Sequence, residues 1–307
     1  MKKNYVYAKL PRAGIGNKLI VWARALVFSH VNNKLLFISN WADFKIGPFL
    51  RMEKQKRQYF GNFNQTNKLS FFRYVHLIFI GKTMYDPALE VLKQKDQNFS
   101  LYKFEKISSW KDYFEGIRDY RDLIIESFFK MVSKNTINKV NLSKIPVIGV
   151  HVRLSDFKEA GPDQEIGSTP NLRTPLSYYV KVIQIIRKTF GGSLPVTIFS
   201  DGHDEELECF LEIPGVRLAE KNSAIVDLII LSQSQCIVVS PMSTFSYWAS
   251  FLSDAIIIKH PGHAAEIRPT SINEDLFEGS IIGNQELSKL FVRNTQKINI
   301  HKMQVKI

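Results

Sequence analysis

Cysteine is almost missing from this chain, with Cys209 and Cys236 alone among 307 residues. They form no CxxC pair and fall in different predicted elements. A disulfide framework or structural zinc site is therefore excluded, and a reducing compartment fits. Long apolar runs are lacking too. The N-terminus, Met1-Lys2-Lys3-Asn4-Tyr5-Val6-Tyr7-Ala8, reads as a strand without the apolar run of a secretion signal. The most apolar stretch outside the predicted strands, residues 71–80, is broken by Arg73 and His76 and is too short to span a bilayer. It reads either as a buried helix or as one lying on a membrane surface. Acidic residues are scarce: 29 Asp plus Glu stand against 41 Lys plus Arg, a formal net charge of +12. Such an excess calls for a polyanionic partner. No zinc-finger spacing or RNP-type aromatic motif accompanies it, so nucleic acid is set aside in favour of a phosphate-bearing ligand and an anionic membrane surface.

What remains is ordinary for a globular protein, 45% hydrophobic and 23% charged, and the length predicts two domains. Residues 4–10 read as a strand, followed by the turn Pro11-Arg12-Ala13-Gly14-Ile15-Gly16-Asn17. A helix over 18–31 then places Leu19, Val21, Trp22, Leu26, Val27 and Val31 at apolar positions. Leu35-Leu36-Phe37-Ile38 is a second strand, completing a βαβ opening. The middle, 45–110, is basic and aromatic with few alternating patterns, and 119–132 reads as a helix.

A second α/β unit opens at Pro146. Val147-Ile148-Gly149-Val150-His151-Val152 is a continuous apolar run, as a strand covered on both faces requires. A polar loop over 155–173 leads to a helix over 177–190. Further strands are predicted at 196–199, 236–239 and 255–258, with helices at 205–210, 226–232 and 244–252. The alternation predicts an α/β protein with two Rossmann-like domains facing across a cleft. Its parts are residues 1–145, a Rossmann-like second domain over 146–290, and a tail over 291–307.

Ligands of open α/β sheets bind at the carboxyl ends of strands, and three polar clusters fall there. His151-Val152-Arg153-Leu154-Ser155-Asp156 leaves the first strand of the second unit. Its Arg153 can grip a phosphate in a bidentate manner, or merely pin the loop by pairing with an Asp. Ser200-Asp201-Gly202 follows the next strand and reads as a binding turn or as a plain helix entry. Ser240-Pro241-Met242-Ser243-Thr244-Phe245-Ser246 precedes a helix. Its four hydroxyls and free N–H groups suit an anion better than simple capping does. Asp227 sits in an otherwise apolar helix, where a buried carboxylate needs a basic partner or the N–H groups of a nucleotide base. In the first half, Gly14-Ile15-Gly16-Asn17 lacks the third glycine of a dinucleotide fingerprint and is no P-loop, but places Gly14, Gly16 and Asn17 at a strand end. His260 and His263 flank Pro261-Gly262 in a loop, so no metal site is expected.

Taken in order, these clusters resemble the inverting fucosyltransferases of glycosyltransferase family 11. The family's Gly-x-Gly-Asn turn is matched by Gly14 to Asn17 and its His-x-Arg-Arg-x-Asp motif by His151 to Asp156. A Thr-Pro-Leu-x-Tyr-Tyr segment is matched from Thr174 to Tyr179, a Phe-Ser-Asp strand end by Phe199-Ser200-Asp201, and a Ser-Thr-Phe-Ser-Trp-Trp helix start from Ser243 to Trp248. The resemblance implies a GT-B fold, GDP-fucose as donor substrate, no cofactor, no metal, and inversion at the anomeric carbon. It implies that Arg153 holds the β-phosphate, that His151 and Asp227 place the guanine, that Ser243, Thr244 and Ser246 line the pyrophosphate, and that Ser200, Asp201 and Phe245 belong to the same donor site. One departure stands out. The family's second arginine is Leu154 here, which leaves fucose less certain than the nucleotide unless Arg12 or Lys18 replaces the charge.

The expected reaction is displacement at the donor sugar by a hydroxyl of an oligosaccharide or lipid-linked glycan, in an α-1,2 linkage of surface polysaccharide or lipopolysaccharide. Asp156 and Glu159, in the loop after the motif, are the general-base candidates. The expected location is cytoplasmic, peripheral at the inner membrane. Another GDP-sugar donor is the first alternative, a non-catalytic nucleotide- or carbohydrate-binding protein the second, and a sulfotransferase a distant third.

Overall fold

The structure is a computed structural model that describes residues 4–42, 58–64, 81–92, 99–161, 163–262, 265–283 and 286–299. The apolar stretch 71–80, much of the basic region 45–110, and His263 lie outside the described residues. The chain divides into two compact units, one over 1–45 and 57–136, the other over 46–56 and 137–307.

The first unit is built on a four-stranded parallel sheet, ordered β2-β1-β4-β3. Its strands are β1 (Tyr5–Ala8), β2 (Leu35–Ile38), β3 (Thr83–Tyr85) and β4 (Leu101–Phe104). Helix α1 (Ile15–Val31) links β1 to β2, α2 (Arg121–Met131) follows, and α3 (Lys134–Asn141) spans the boundary between the units. Two sequence expectations change here. The helix begins at Ile15, with extended Gly14 as its cap, so Gly16 and Asn17 are helical residues of the first turn and not turn residues. The middle region also contributes two strands that its pattern hid. β4 is buried along its whole length, so no alternation marks it, and it contains a lysine. That lysine, Lys103, pairs with Glu105 at 3.0 Å.

The second unit carries a six-stranded, wholly parallel sheet ordered β10-β9-β8-β5-β6-β7. The strands are β5 (Ile148–Val152), β6 (Val196–Ser200), β7 (Val216–Leu218), β8 (Cys236–Val238), β9 (Ile256–Ile258) and β10 (Glu278–Gly279). The helices are α4 (Leu176–Phe190), α5 (Glu208–Leu211), α6 (Ala224–Ser232), α7 (Thr244–Phe251), α8 (Thr270–Asn273) and α9 (Lys289–Gln296). The short edge strands β7 and β10 carry too few residues for a readable pattern.

The chain runs outward from β5 through β6 to β7, then returns to β8 on the other side of β5. Right-handed crossovers make that reversal put successive helices on opposite faces. α4 and α9 pack together on one face, α6 and α7 on the other. The order reverses between β5 and β8, and the crevice beyond the carboxyl ends of these strands is where such sheets bind ligands. α4 forms because Tyr179, Val182, Ile183 and Ile186 recur at helical spacing and are all buried. It ends at Gly191, whose φ of 83° is the left-handed cap that glycine adopts without penalty. On the other face Gly149 lets α6 approach: a Cβ there would stand 2.5 Å from Leu231 Cδ1 and 2.6 Å from Ser234 Oγ.

Residues from 291 onward read as a tail in the sequence, yet α9 extends to Gln296 and sends fully buried Phe291 into the core with Val150 and Ile183. No helix among the described residues is long and apolar enough to cross a membrane. If α9 is part of the core, Phe291→Ala will cost about 3–5 kcal/mol of unfolding free energy in denaturant titration. A loss below about 0.5 kcal/mol, the range of surface substitutions, would show that α9 is detachable.

Candidate functional site

Three strand ends of the second unit, those of β5, β6 and β8, converge through buried polar contacts. Ser240, just past β8, is the tie between β8 and β5. Its Oγ donates to the His151 carbonyl at 2.9 Å and accepts the Arg153 N–H at 2.9 Å, with Tyr179 Oη 2.7 Å away. From β6, Ser200 Oγ donates to the Val152 carbonyl at 2.7 Å. Asp201 Oδ1 accepts the N–H of Leu154 at 2.9 Å and of Ser155 at 3.4 Å.

Arg153 is held in this frame by two carboxylates. Its Nη1 lies 2.7 Å from Asp201 Oδ2 and its Nη2 2.6 Å from Asp156 Oδ1, while its guanidinium carbon sits 5.5 Å from the Phe157 ring centroid. The loop-pinning reading of this arginine is thus realised. The two carboxylates differ: Asp201 is 10% exposed and bound to the loop backbone, whereas Asp156 is 38% exposed. Glu159, further along the loop, is exposed.

Leu154 does not occupy the place of a second phosphate ligand. Its side chain is turned into the core, over Gly202, where a Cβ would stand 2.5 Å from Leu154 Cδ1. Of the two cations that could replace the missing charge, Lys18 is fully buried with Nζ 5.9 Å from the Tyr59 ring centroid. It therefore cannot line a surface site, whereas Arg12 is exposed. Gly14 caps α1 at the end of β1, with nothing within 4 Å of the place a Cβ would take, while Gly16 is buried and Asn17 half-buried.

His151 is buried and stacks on Phe245, with ring centroids 4.9 Å apart and planes at 28°. Burial, and then the charge of Arg153, push its pKa down to about 3. It is a neutral ring whose Nδ1 makes no hydrogen bond among the described residues. The helix start beside it is narrower than its hydroxyls suggest. Ser240 is committed to the strand ends. Ser246 is fully buried and bonds the Ser243 carbonyl at 3.3 Å, so its side chain cannot line a ligand, contrary to expectation. Ser243 is buried at the cap position of α7 without a side-chain capping bond, and Thr244 is half-buried; these two hydroxyls and the first-turn N–H groups are what the helix start can offer. Met242, just before the cap, is held at φ 56°, a strained conformation for a side-chain-bearing residue.

Asp227 lies in the first turn of α6 and lines a pocket of about 110 Å³ beside the end of β6. Phe199, Ser200, Leu218, Lys221 and Asn222 are among the other lining residues. Lys221 and Asn222 escaped sequence reading because they lie in an unpatterned connection. Arg173 and Tyr179 escaped it too, although they stand at or next to the Thr174 to Tyr179 segment.

The buried imidazole sets a sign for pH. Below its ordinary value of 6.5, the unfolded chain takes up a proton that folded His151 refuses until about pH 3. Stability falls across that window as pH drops, by up to about 1.4 kcal/mol per pH unit from this group. Urea unfolding at pH 7.5 and 5 should therefore show a larger loss for the native chain than for His151→Asn. An equal loss in both would mean that the folded imidazole is charged.

Comparison with known proteins agrees with this arrangement. The fucosyltransferase NodZ from Bradyrhizobium superposes with a TM-score of 0.55 at 18% identity, over 86% of this chain and 98% of that one. NodZ alpha-1,6-fucosyltransferase soaked with GDP-fucose gives 0.54 at 17% identity, over 84% and 95%. At that identity the likeness speaks for the fold, a GT-B arrangement of parallel-sheet α/β units. No curated protein sequence matches the chain. The family model for glycosyl transferase family 11 matches residues 90–268, more than half of the chain and all three strand ends. The chain belongs to glycosyl transferase family 11 and is a glycosyltransferase.

Proposed function

We propose that the enzyme transfers fucose from GDP-fucose to a hydroxyl of a glycan acceptor, with inversion, in an α-1,2 linkage of surface polysaccharide or lipopolysaccharide. The observation that carries this reading is the Arg153 guanidinium at the sheet's switch point, on a backbone tied through Ser240 to the segment that leads into α7. Diphosphate charge develops as the glycosidic bond breaks, and preorganised donors that meet it supply the largest share of such catalysis. Arg153, the hydroxyls of Ser243 and Thr244, and the α7 N-terminus are those donors. The incoming diphosphate displaces Asp156, the more exposed of the two carboxylates on Arg153, while Asp201 keeps the guanidinium in place. The base enters the pocket at Asp227, whose carboxylate accepts from its N–H groups, and neutral His151, stacked on Phe245, helps to place it. Arg153 and the helix dipole assume the neutralising role that a cation fills elsewhere, so no metal or cofactor enters the reading.

Asp156, once the diphosphate has released it from Arg153, and exposed Glu159 are the two general-base candidates of the loop. The inward Leu154 leaves the loop with one phosphate-facing cation, which favours another GDP-sugar as the second reading. The acceptor is an oligosaccharide or a lipid-linked glycan, met at the cytoplasmic face of the inner membrane. Exposed Lys289, Arg293 and Lys297 on and just after α9, and Lys181 and Lys188 on neighbouring α4, support a peripheral contact with anionic lipid.

Two measurements test this. GDP at about a hundred times its dissociation constant should stabilise the protein by roughly 2.7 kcal/mol. UDP and adenine nucleotides should not, and a shift with those alone defeats the GDP-sugar reading. Arg153→Ala should fold normally and lose most turnover, and near-native turnover would remove Arg153 from the chemistry. Separately, the protein should pellet with vesicles containing phosphatidylglycerol but not with pure phosphatidylcholine, and release in salt. Equal binding to both would end the membrane assignment.

A further inference from the structure

The turn that carries Arg153 is held from two sides, and only one side belongs to the family motifs. Its N–H groups are held by Asp201, as described above. Its carbonyls are held by Arg173, a residue from the far end of the 155–173 loop. Arg173 Nε donates to the Leu154 carbonyl at 3.1 Å and to the Phe157 carbonyl at 2.9 Å, the first and last of the turn closed by the Phe157 N–H to Leu154 carbonyl bond. Backbone bonds steady the arginine. Its own N–H reaches the Lys158 carbonyl at 2.7 Å, and the Lys158 N–H reaches the Asn171 carbonyl at 2.9 Å.

The second anchor lies past the end of β6. Arg173 Nη1 is 2.9 Å from Glu206 Oε1, while Glu206 Oε2 accepts the His203 N–H at 2.8 Å. Burial raises the Glu206 carboxyl's pKa, but the His203 N–H and Arg173 more than offset this and hold it low. The junction has no room for a side chain at Gly202. A Cβ there would stand 3.0 Å from Glu206 Oε2 as well as 2.5 Å from Leu154 Cδ1. A guanidinium suits this junction where an ammonium does not, because its fork presents Nε to two carbonyls and Nη1 to a carboxylate in one plane.

We infer that Arg173 and Glu206 form a positioning pair that locks the Arg153 turn to the β6 end and so sets the diphosphate-binding geometry. This role rests on the donor reading above. The pair keeps the turn in register when the incoming anion breaks the Arg153 to Asp156 contact. It touches neither donor nor acceptor itself. Displacements near 1 Å at such a site cost about a hundredfold in rate, so a slack turn shows in donor binding and turnover before it shows in the fold.

GDP titration by calorimetry, with steady-state kinetics beside it, tests the pair. Arg173→Ala should weaken GDP binding by about tenfold or more, raise the donor KM and lower kcat, with the acceptor KM unchanged. Arg173→Lys should recover only part of the loss. Glu206→Gln, which leaves the arginine and the fold in place, should weaken GDP binding by a smaller factor. Combining it with Arg173→Ala should add nothing further, as expected of two residues acting as a unit. If Arg173→Ala fails to fold, Glu206→Gln decides alone. Native GDP affinity in Glu206→Gln, or in a folded Arg173→Ala, overturns the role while the donor reading stands. A native chain that binds no GDP overturns both.

Discussion

The carboxylate of Asp201 takes on three tasks: the N–H groups of Leu154 and Ser155 on one oxygen and the Arg153 guanidinium on the other. A loop leaving a parallel strand has no ladder to define it, so its shape comes from whichever side chains satisfy its backbone. Here a residue at the end of the neighbouring strand does so, and it is mostly buried, which strengthens each contact. Ser240 repeats the device from the opposite neighbour, β8. The β5 end is therefore shaped by the strands on either side of it, and a cation at the switch point inherits the rigidity of the sheet.

The second sheet is legible in the sequence because its strands read as apolar runs and each turns abruptly polar at its carboxyl end. That signature locates Arg153, Asp201 and the Ser243 helix start without a structure. It does not say which polar atoms stay available. Ser240 and Ser246 look like Ser243 in sequence, yet one joins two strands and the other bonds its own helix, because burial on the inner side of α7 depends on packing and not on local pattern. Leu154 likewise reads as a lost charge beside Arg153. The alternation of side chains past β5 turns it inward, into a slot that only glycine at 202 leaves open.

The first unit is less readable for a different reason. β4 is a central strand with Lys103 buried in it, and a lysine amid four residues hides a strand whose charge is satisfied by Glu105. The turn at Gly14 falls where the sequence puts it but is shorter than expected. An uncapped glycine gives no side-chain signal for where a helix begins, so the first turn absorbs Gly16 and Asn17. Arg173 shows the remaining limit. Its importance comes from carbonyls nearly twenty residues upstream and a carboxylate far downstream, contacts that leave no spacing in the sequence.

On the proposed donor reading, the two carboxylates on Arg153 set a threshold for any anion. An anion that arrives there would not meet a waiting positive charge, because the guanidinium is already neutralised by Asp156 and Asp201. It must instead trade places with Asp156. A small monovalent ion offers Arg153 no more than that carboxylate does and lacks its tether, so it gains no foothold. A diphosphate brings more charge and can engage the start of α7 at the same time. On that reading the internal pairing acts as a filter, holding the cation in reserve amid small anions for a ligand able to reach both elements at once.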